Sequence, residues 1–482
     1  MKLYKTSLIL LMVCSFAACK KELAILPEQS LPDQIVFTSK AGAQAALLGV
    51  YSTSQVLEVF GGLPLIIGDY QADNVQFVGS FPTLQEIAQY TTLSTNVSIA
   101  PIWQDHYRVI LRANSIINVV PGISEPGFTE PQKNQMVAEA KFMRALTYFQ
   151  LVNLFAQPYN CSAGSNLGVP LVLDQFIAGE VNFPARSTVN EVHLQIKKDL
   201  EEALVDLPAT YAAAADTRGR ATKGAASGLL SRLHLYRGEW DPASTRANEV
   251  IVAAPTYALA ANYAFYDGNS AEDVFTIQMT TTDNSRTGAG GLASYHRPAA
   301  QGGRGDAPFS TELVQAYLAE PGDRRIAISD SAVASDGPRR RFTLKYIDAR
   351  TNADNTPVIR VTEMYLNRAE ALAELNGVNQ LSLDLMNALR RRAGLPEWTL
   401  LSFISKEEFV SAILNERRKE LAFEGHRRMD LLRRGQPLRT EGATAAISKP
   451  CDPTGSPKVI LPIPQREVDI NPSLKGQQNP GY

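Results

Sequence analysis

Three glutamates spaced four residues apart constrain the fold of this 482-residue chain more than any other feature. Glu416, Glu420 and Glu424 lie on one stripe of the segment Asn415–Gly435, where apolar residues recur at helical spacing. Like charges at this spacing repel each other on an isolated helix, so the fold must bring cations to the stripe. The pattern therefore predicts a packed helix held by ion pairs. A catalytic cluster of carboxylates is the alternative.

Arginines in two segments can supply these cations. Arg417, Arg427 and Arg428 belong to the same segment, and Arg390–Arg392 lie on a preceding predicted helix. Buried charges need partners of opposite sign, so we predict a structural ion network. Its predicted members are Glu363, Arg368, Arg390, Glu416, Arg417, Glu420 and Glu424.

Helical periodicity extends over most of the chain. The predicted helices are Trp103–Val120, Gln132–Phe155, one capped by Thr188 and Glu191 that runs to about Leu207, Ala221–Arg237, Pro242–Ala254, Val358–Leu375, Leu381–Ala393, and one that begins with a capping box of Ser405 and Glu408. Small residues such as Ala145, Ala225 and Ala369 fall where paired helices would cross. The pattern predicts a mainly α-helical fold with a tetratricopeptide-like stack of helix pairs.

Two long segments lack helical periodicity and are predicted to be loops. The first, Phe60–Ile99, alternates glycine, proline and short β-type runs, and the second, Tyr257–Arg341, contains a predicted strand at Asp273–Met279. Loops of this length in a compact domain are usually functional or partly disordered. We therefore place the candidate binding residues there.

The N-terminus is typical of an export signal. Lys2 and Lys5 precede the apolar run Leu8–Val13, which is shorter than the roughly 20 residues of a membrane-spanning helix. Two alanines then precede Cys19, as in a lipobox, where the cysteine is acylated and becomes the new N-terminus. Phe16 departs from the aliphatic residue that is usual at its position. A cleaved signal peptide without a lipid is the alternative.

Charge and composition exclude several functions. The formal charge is −2 and becomes about −4 once residues 1–18, with their two lysines, are removed. A mildly acidic chain without a basic patch does not fit nucleic-acid binding. No phosphate-binding loop, nucleophile elbow or metal-ligand motif is present, so we predict no cofactor, metal or catalytic residue. Cys161 and Cys451 can pair, but nothing in the sequence requires a disulfide.

Three charged segments together resemble the SusD/RagB family. The run from Ala412–Arg418 through Glu424–Arg427 looks like that family's C-terminal signature, and Glu363–Ala371 and Leu389–Leu395 match in order and spacing. Val459–Pro464 also resembles the family's C-terminal end. The resemblance covers almost the whole chain.

The resemblance implies a surface lipoprotein of the outer membrane that captures nutrients in Bacteroidetes-type bacteria. It implies a signal peptide at 1–18, an N-terminal helical region at 19–255 and a C-terminal region at 256–482, each of the two with a ligand loop. It also implies an oligosaccharide or peptide ligand, lipid attachment through Cys19, and a TonB-dependent, SusC-like β-barrel transporter as partner.

Aromatic and polar residues of the two long segments are the candidate ligand contacts. Capture of a neutral, flexible ligand needs exposed aromatic planes and a few fixed polar groups. The candidates are Asp73, Asn74, Phe77, Phe81, Tyr90, Tyr295, His296, Arg304 and Asp306. The three tryptophans are predicted to be used elsewhere, which weakens the case for sugar over peptide. For each aromatic residue, packing within the loop is the alternative.

A polysaccharide-degrading surface enzyme is the remaining alternative function. It would need two convergent carboxylates about the scissile bond, and sequence alone places no such pair. The tripeptide Arg304-Gly-Asp306 resembles a cell-adhesion motif, which chance explains in a glycine-rich segment.

Replacing Cys19 with alanine tests the predicted lipid anchor. Several acyl chains on one residue hold a protein stably to a bilayer, so we expect the variant to leave the membrane fraction for the soluble one. Fractionation of cells followed by immunoblotting measures this. Retention of Cys19→Ala in the membrane fraction would contradict lipid attachment.

Overall fold

A computed structural model of the protein describes residues 37–175, 182–285, 290–439, 449–451 and 458–482. The predicted signal segment and Cys19 lie outside these residues.

Helices dominate the described residues and confirm the predicted mainly α fold. They are α1 (Lys40–Ser54), α2 (Leu63–Gln71), α3 (Pro82–Ala88), α4 (Ala100–Val119), α5 (Glu130–Phe155), α6 (Val189–Asp206), α7 (Ala214–Gly219), α8 (Lys223–Arg237), α9 (Trp240–Ile251), α10 (Leu292–His296), α11 (Thr311–Leu318), α12 (Val361–Asn376), α13 (Gln380–Ala393), α14 (Lys406–Glu420), α15 (Arg427–Arg433) and α16 (Gln465–Ile470). Neighbouring helices pack in pairs: α4 on α5, α5 on α6, α8 on α9, and α12 on α9 and α13.

Local signals set the ends of several helices. The Thr188 hydroxyl accepts from the Glu191 N–H at the start of α6, and the Glu191 carboxylate accepts from the Thr188 N–H in return. Ser405 likewise accepts from the Glu408 N–H, but the Glu408 carboxylate accepts from the Ile404 N–H, so the predicted capping box is only half formed. These side chains satisfy N–H groups that the first helical turn leaves unpaired.

Short antiparallel strands lie between the helices. The strand β1 (Asp273–Ile277) pairs with β4 (Thr356–Arg360), and β2 (Ser329–Val333) pairs with β3 (Arg339–Thr343). The strand predicted at Asp273–Met279 is confirmed, although it ends two residues earlier.

The prediction that both long segments are non-helical was wrong in part. The first contains α2 and α3, and the second contains α10 and α11. All nine residues of α2 are buried, including its polar residues, so it shows no amphipathic period by which it could be recognised.

The main apolar core joins residues from both sides of position 255, from Ala43 in α1 to Leu474 near the C-terminus. A second cluster lies under α12, α13 and α14. Helix α2 packs directly on the turn after α14, since a Cβ on Gly68 would lie 3.0 Å from the carbonyl oxygen of Gly425. A side chain at position 68 would press on the backbone of this turn, so the close approach favours glycine.

A disulfide joins Cys161, which follows α5, to Cys451. The Cα atoms are 4.9 Å apart and 290 residues separate the two cysteines in sequence. The bond ties the C-terminal tail to the end of α5.

The predicted glutamates meet cations in a buried cluster, here called the glutamate cluster. Glu416 contacts Arg325 at 2.8 Å and Arg390 at 3.0 Å. Glu420 contacts Arg392 at 2.7 Å. Its other members are Glu272, Lys345, Arg360, Lys419 and Glu424. All of these side chains are buried, so each carboxylate is desolvated and held by close opposite charges.

Aromatic rings close one side of the glutamate cluster. The Tyr263 ring lies 4.9 Å from the Arg392 guanidinium, and its hydroxyl donates to Glu420 at 3.1 Å. The Tyr266 hydroxyl donates to Glu424 at 3.2 Å. These contacts use acceptor positions that the arginines leave open.

The stripe of three glutamates does not continue as one helix. Helix α14 ends at Glu420, and Phe423 and Gly425 have positive φ angles of 67° and 76° before α15 begins. Glu424 therefore reaches the cluster from a turn, where Arg360 binds it at 2.7 Å.

Other predicted members of the ion network lie elsewhere. Arg417 binds Asp430 at 2.8 Å, and Glu363 binds Arg232 at 2.6 Å, next to the cluster rather than within it. Arg368 was predicted wrongly, because its side chain makes no ion pair with any described residue. The sequence places it on the right helix but does not show which side of α12 faces the glutamates.

The arginines considered as cations for the stripe also divide. Arg390 and Arg392 contact the glutamates, whereas Arg391 is exposed and binds Glu397. Arg428 donates instead to Gln71 and to the carbonyls of Asn153 and Val459.

Replacing Glu420 with alanine tests the cluster. The change leaves Arg392 buried without its closest carboxylate, so we expect the free energy of unfolding to fall by about 3–5 kcal/mol. Urea unfolding followed by circular dichroism measures this. The exposed Glu397→Ala variant serves as a control, with an expected loss under about 1 kcal/mol. Equal losses in the two variants would contradict a stabilising role for the cluster.

Acid should weaken the fold through the same carboxylate. Burial tends to raise the pKa of Glu420, but Arg392, Arg325 and Arg360 lower it from 4.5 to about 2. A carboxyl with a lowered folded-state pKa contributes stability that is complete above its unfolded pKa and is lost as pH falls to the folded value. We therefore expect the free energy of unfolding to fall between pH 4.5 and 2, and less steeply in Glu420→Gln. Urea titrations at a series of pH values measure both slopes, and identical slopes would contradict the assignment.

Candidate functional site

The two long segments run side by side, although they are more than 200 residues apart in sequence. The Val78 N–H donates to the Asp306 carbonyl at 2.9 Å, and the Ser310 N–H donates to the Asn74 carbonyl at 2.9 Å. Between these bonds, Val75 and Phe309 form an antiparallel bridge. This ladder fixes residues 74–78 against residues 306–310.

One arginine lies between two aromatic rings beside this ladder. The Arg304 guanidinium carbon is 5.1 Å from the centre of the Phe81 ring and 5.3 Å from that of Tyr295. Its Nε donates to the Asp306 carboxylate at 2.9 Å. We call Phe81, Tyr295, Arg304 and Asp306 the arginine platform. Attraction between the cation and the two ring faces stabilises this arrangement.

The members of the arginine platform differ in exposure. Phe81 is 48% exposed, whereas Tyr295 is 8% exposed and Asp306 is buried. Arg304 is partly exposed, and its two Nη nitrogens donate to none of the described residues. The platform therefore offers solvent an aromatic ring and charged N–H donors side by side.

Close packing of the backbone holds Asp306 in place. A Cβ on Gly79 would lie 2.5 Å from the Asp306 side chain, so this position accepts only glycine without movement. Below it, Phe77 packs on Tyr70 at 4.8 Å, and the Tyr70 hydroxyl donates to the Tyr295 carbonyl at 3.4 Å. Tyr70 supports the platform and was not among the predicted residues.

Two aromatic predictions are corrected by burial. Tyr90 is 1% exposed and donates its hydroxyl to the Gln71 carbonyl. His296 is fully buried between Tyr346 and Phe423, and burial lowers its pKa to about 3, so the ring is neutral at neutral pH. Neither ring is available to a ligand, because both are buried in the interior of the protein.

Two polar predictions are corrected by their partners. Arg427 donates to both oxygens of Asp73, and Arg418 donates to the side-chain oxygen of Asn74 at 2.9 Å. Burial tends to raise the pKa of Asp73, but the hydrogen bond and charge of Arg427 bring it below its usual value. Asp73 and Asn74 thus anchor the loop to α14 and α15. No signal in the sequence connects residues that lie more than 340 positions apart.

Metal binding has no geometric support among the described residues, where no group of three or more histidine, cysteine or acidic side chains converges. The Asp348 carboxylate accepts N–H groups of its own loop at Arg350, Thr351 and Ala353. Within the described part of the chain, no helix is long and apolar enough to cross a membrane.

Comparison with known proteins gives consistent matches along the chain. A family profile described as "Starch-binding associating with outer membrane" matches residues 63–235, and one described as "SusD family" matches residues 336–482. SusD-like protein P25 of Formosa agariphila is 25% identical, and the alignment covers 100% of both chains. The chain belongs to the SusD/RagB family.

Solved structures of SusD-like proteins share its fold. A SusD superfamily protein from Bacteroides thetaiotaomicron VPI-5482 aligns with a TM-score of 0.80 at 26% identity, covering 91% of this chain and 99% of that one. A laminarin-binding SusD-like protein aligns with a TM-score of 0.73 at 26% identity, covering 92% of this chain and 100% of that one. In this SusD/RagB protein, Phe81 falls within a matched segment, whereas Tyr295, Arg304 and Asp306 lie between the two.

The platform residues should differ in their effect on stability. Because Phe81 is half exposed, we expect Phe81→Ala to change the free energy of unfolding by under about 1 kcal/mol. Tyr295→Ala removes a buried ring and should cost roughly 3 kcal/mol, while Tyr295→Phe should keep most of that stability. Thermal and urea unfolding measure these effects. Equal losses for Phe81→Ala and Tyr295→Ala would show that the Phe81 ring is packed.

Proposed function

We propose that this SusD/RagB protein binds an oligosaccharide at the surface of the outer membrane and delivers it to a TonB-dependent, SusC-like β-barrel transporter. The protein acts by binding and carries out no chemical step on the ligand. Energy coupling belongs to the transporter in this proposal.

The observation that carries the proposal is the arginine platform. A sugar ring stacks on the exposed face of Phe81, since aromatic faces bind the apolar C–H surface of sugars, while the free Nη groups of Arg304 donate to hydroxyl oxygens. Asp306 holds the guanidinium in position from below. The ladder between the two loop segments fixes all of these groups before ligand arrives, which reduces the entropy lost on binding.

Oligosaccharide is favoured over peptide by two findings. The profile over residues 63–235 carries a description that names starch binding, and one structural neighbour is named for laminarin binding. A peptide ligand is the alternative, and calorimetry with a peptide mixture tests it.

Affinity electrophoresis on a panel of polysaccharides tests the binding proposal. Native gels containing laminarin, starch or mannan should retard the wild-type protein in at least one case, and Phe81→Ala should be retarded clearly less in the same gel. The exposed Leu401→Ala change, in the turn before α14, is a matched control and should leave retardation unchanged.

Two further readings separate the alternatives. Release of reducing sugar from any polysaccharide of the panel would contradict a binding-only role. Absence of retardation together with binding of a casein-derived peptide mixture in calorimetry would indicate a peptide ligand instead.

Copurification tests the delivery step. A tagged chain expressed together with a SusC-like transporter from the same organism should purify from detergent-solubilised outer membrane as a stable complex. Recovery of the tagged chain alone under those conditions would contradict the proposed partnership.

A further inference from the structure

A second concave site lies between α4 and the C-terminal tail. It is a cleft of about 860 Å³, within the size range of small-molecule sites, and its apolar wall includes Trp103, Tyr107 and Phe183. The rings of Trp103 and Tyr107 pack 5.1 Å apart on consecutive turns of α4. Phe183 is 43% exposed and contributes a ring from the opposite chain segment. The cleft shares no lining residue with the arginine platform.

Polar groups with unused hydrogen-bond acceptors lie beside the aromatic wall. Asp174 is exposed, and its carboxylate pairs with no described side chain; the Asn114 amide donates to its backbone carbonyl instead. Glu467 accepts one hydrogen bond, from Gln104, through one of its two oxygens. Asn118 uses its N–H₂ group on two backbone carbonyls, which leaves its side-chain oxygen as an acceptor. Rings and acceptors thus face the same space.

The charge of the cleft selects the class of ligand. Among the described residues that line it, two are carboxylates and none is lysine, arginine or histidine. An acidic ligand would meet like charge without a compensating cation, which costs affinity. A neutral ligand rich in hydroxyl donors suits both the carboxylate and amide acceptors and the aromatic faces.

We propose that this cleft is a second ligand site that binds a neutral saccharide, with the sugar ring against Phe183 and Tyr107 and its hydroxyls on Asp174, Glu467 and Asn118. The arginine platform carries a cation and accepts acidic as well as neutral sugars, whereas the cleft discriminates against acidic ones. Two sites on one chain raise the effective concentration of a long glycan at the second site once the first is engaged.

Fluorescence of Trp103 reports directly on this cleft. The chain has three tryptophans, and the other two, Trp240 and Trp398, do not line it. A variant with Trp240→Phe and Trp398→Phe therefore emits from Trp103 alone, and circular dichroism checks that it folds. We expect neutral laminarin, starch or mannan oligosaccharides to change this emission with saturation, and oligogalacturonate to change it at least about tenfold more weakly.

Matched variants assign the signal to one of the two sites. In the same background, Phe183→Ala with Asp174→Ala should weaken the response at least about tenfold, because a stacking ring and a hydroxyl acceptor are lost. Phe81→Ala, at the arginine platform, should leave the Trp103 response unchanged. Calorimetry on the chain with all three tryptophans gives a second measurement. We expect two saccharides to bind per wild-type chain. We expect one to bind per chain in Phe81→Ala, and one in the variant with Phe183→Ala and Asp174→Ala.

Several outcomes would overturn the inference. They are no Trp103 response to any neutral oligosaccharide of the panel, an equal response to oligogalacturonate, or a response that survives the Phe183 and Asp174 changes. A single bound saccharide that Phe81→Ala abolishes would also overturn it while supporting the proposed function. Conversely, a Trp103 response that persists while Phe81→Ala has no effect on polysaccharide retardation would support the cleft and contradict the platform.

Discussion

The fold depends on desolvated glutamates that meet arginine and lysine from distant parts of the chain. Glu416, Glu420 and Glu424 would be very costly to bury alone, and their like charges repel each other when they are brought together. The structure compensates for both effects with cations from a turn, a loop, the end of a strand and a neighbouring helix. Because no single element can satisfy the glutamates, the cluster forms only when these elements occupy their native positions. It therefore specifies one arrangement of the C-terminal helices.

The same charged segment also positions the candidate binding site. Arg418 and Arg427 do not contact the glutamate cluster. They bind Asn74 and Asp73 instead, at the base of the first loop. That loop then runs along residues 306–310 and carries Phe81 to Arg304. The segment that identifies the family thus positions the candidate site through Asp73, without contributing a residue to the platform itself.

The residues of the proposed binding platform divide into exposed groups and buried supports. Phe81 and the outer nitrogens of Arg304 face solvent, while Tyr295, Asp306 and Tyr70 are buried and fix them. Rigid support of this kind lets a small exposed area bind without further ordering of the chain. Among the described residues that line the proposed cleft beside α4 there are carboxylates but no cation, so in this proposal the two sites favour different sugars.

The sequence by itself determined the helices with clear periodicity and caps, the need for cations around Glu416 and Glu420, and the family. These follow from local spacing, which a single segment carries in full. Only the tertiary structure decided which side of each element is buried. Tyr90 and His296 lie in the right loops but inside them, Arg368 is on the right helix but outside the ion network, and α2 was missed because it is buried all round. The contact between Phe81 and Arg304, like that between Asp73 and Arg427, joins residues hundreds of positions apart, and no periodic pattern within either segment encodes its distant partner.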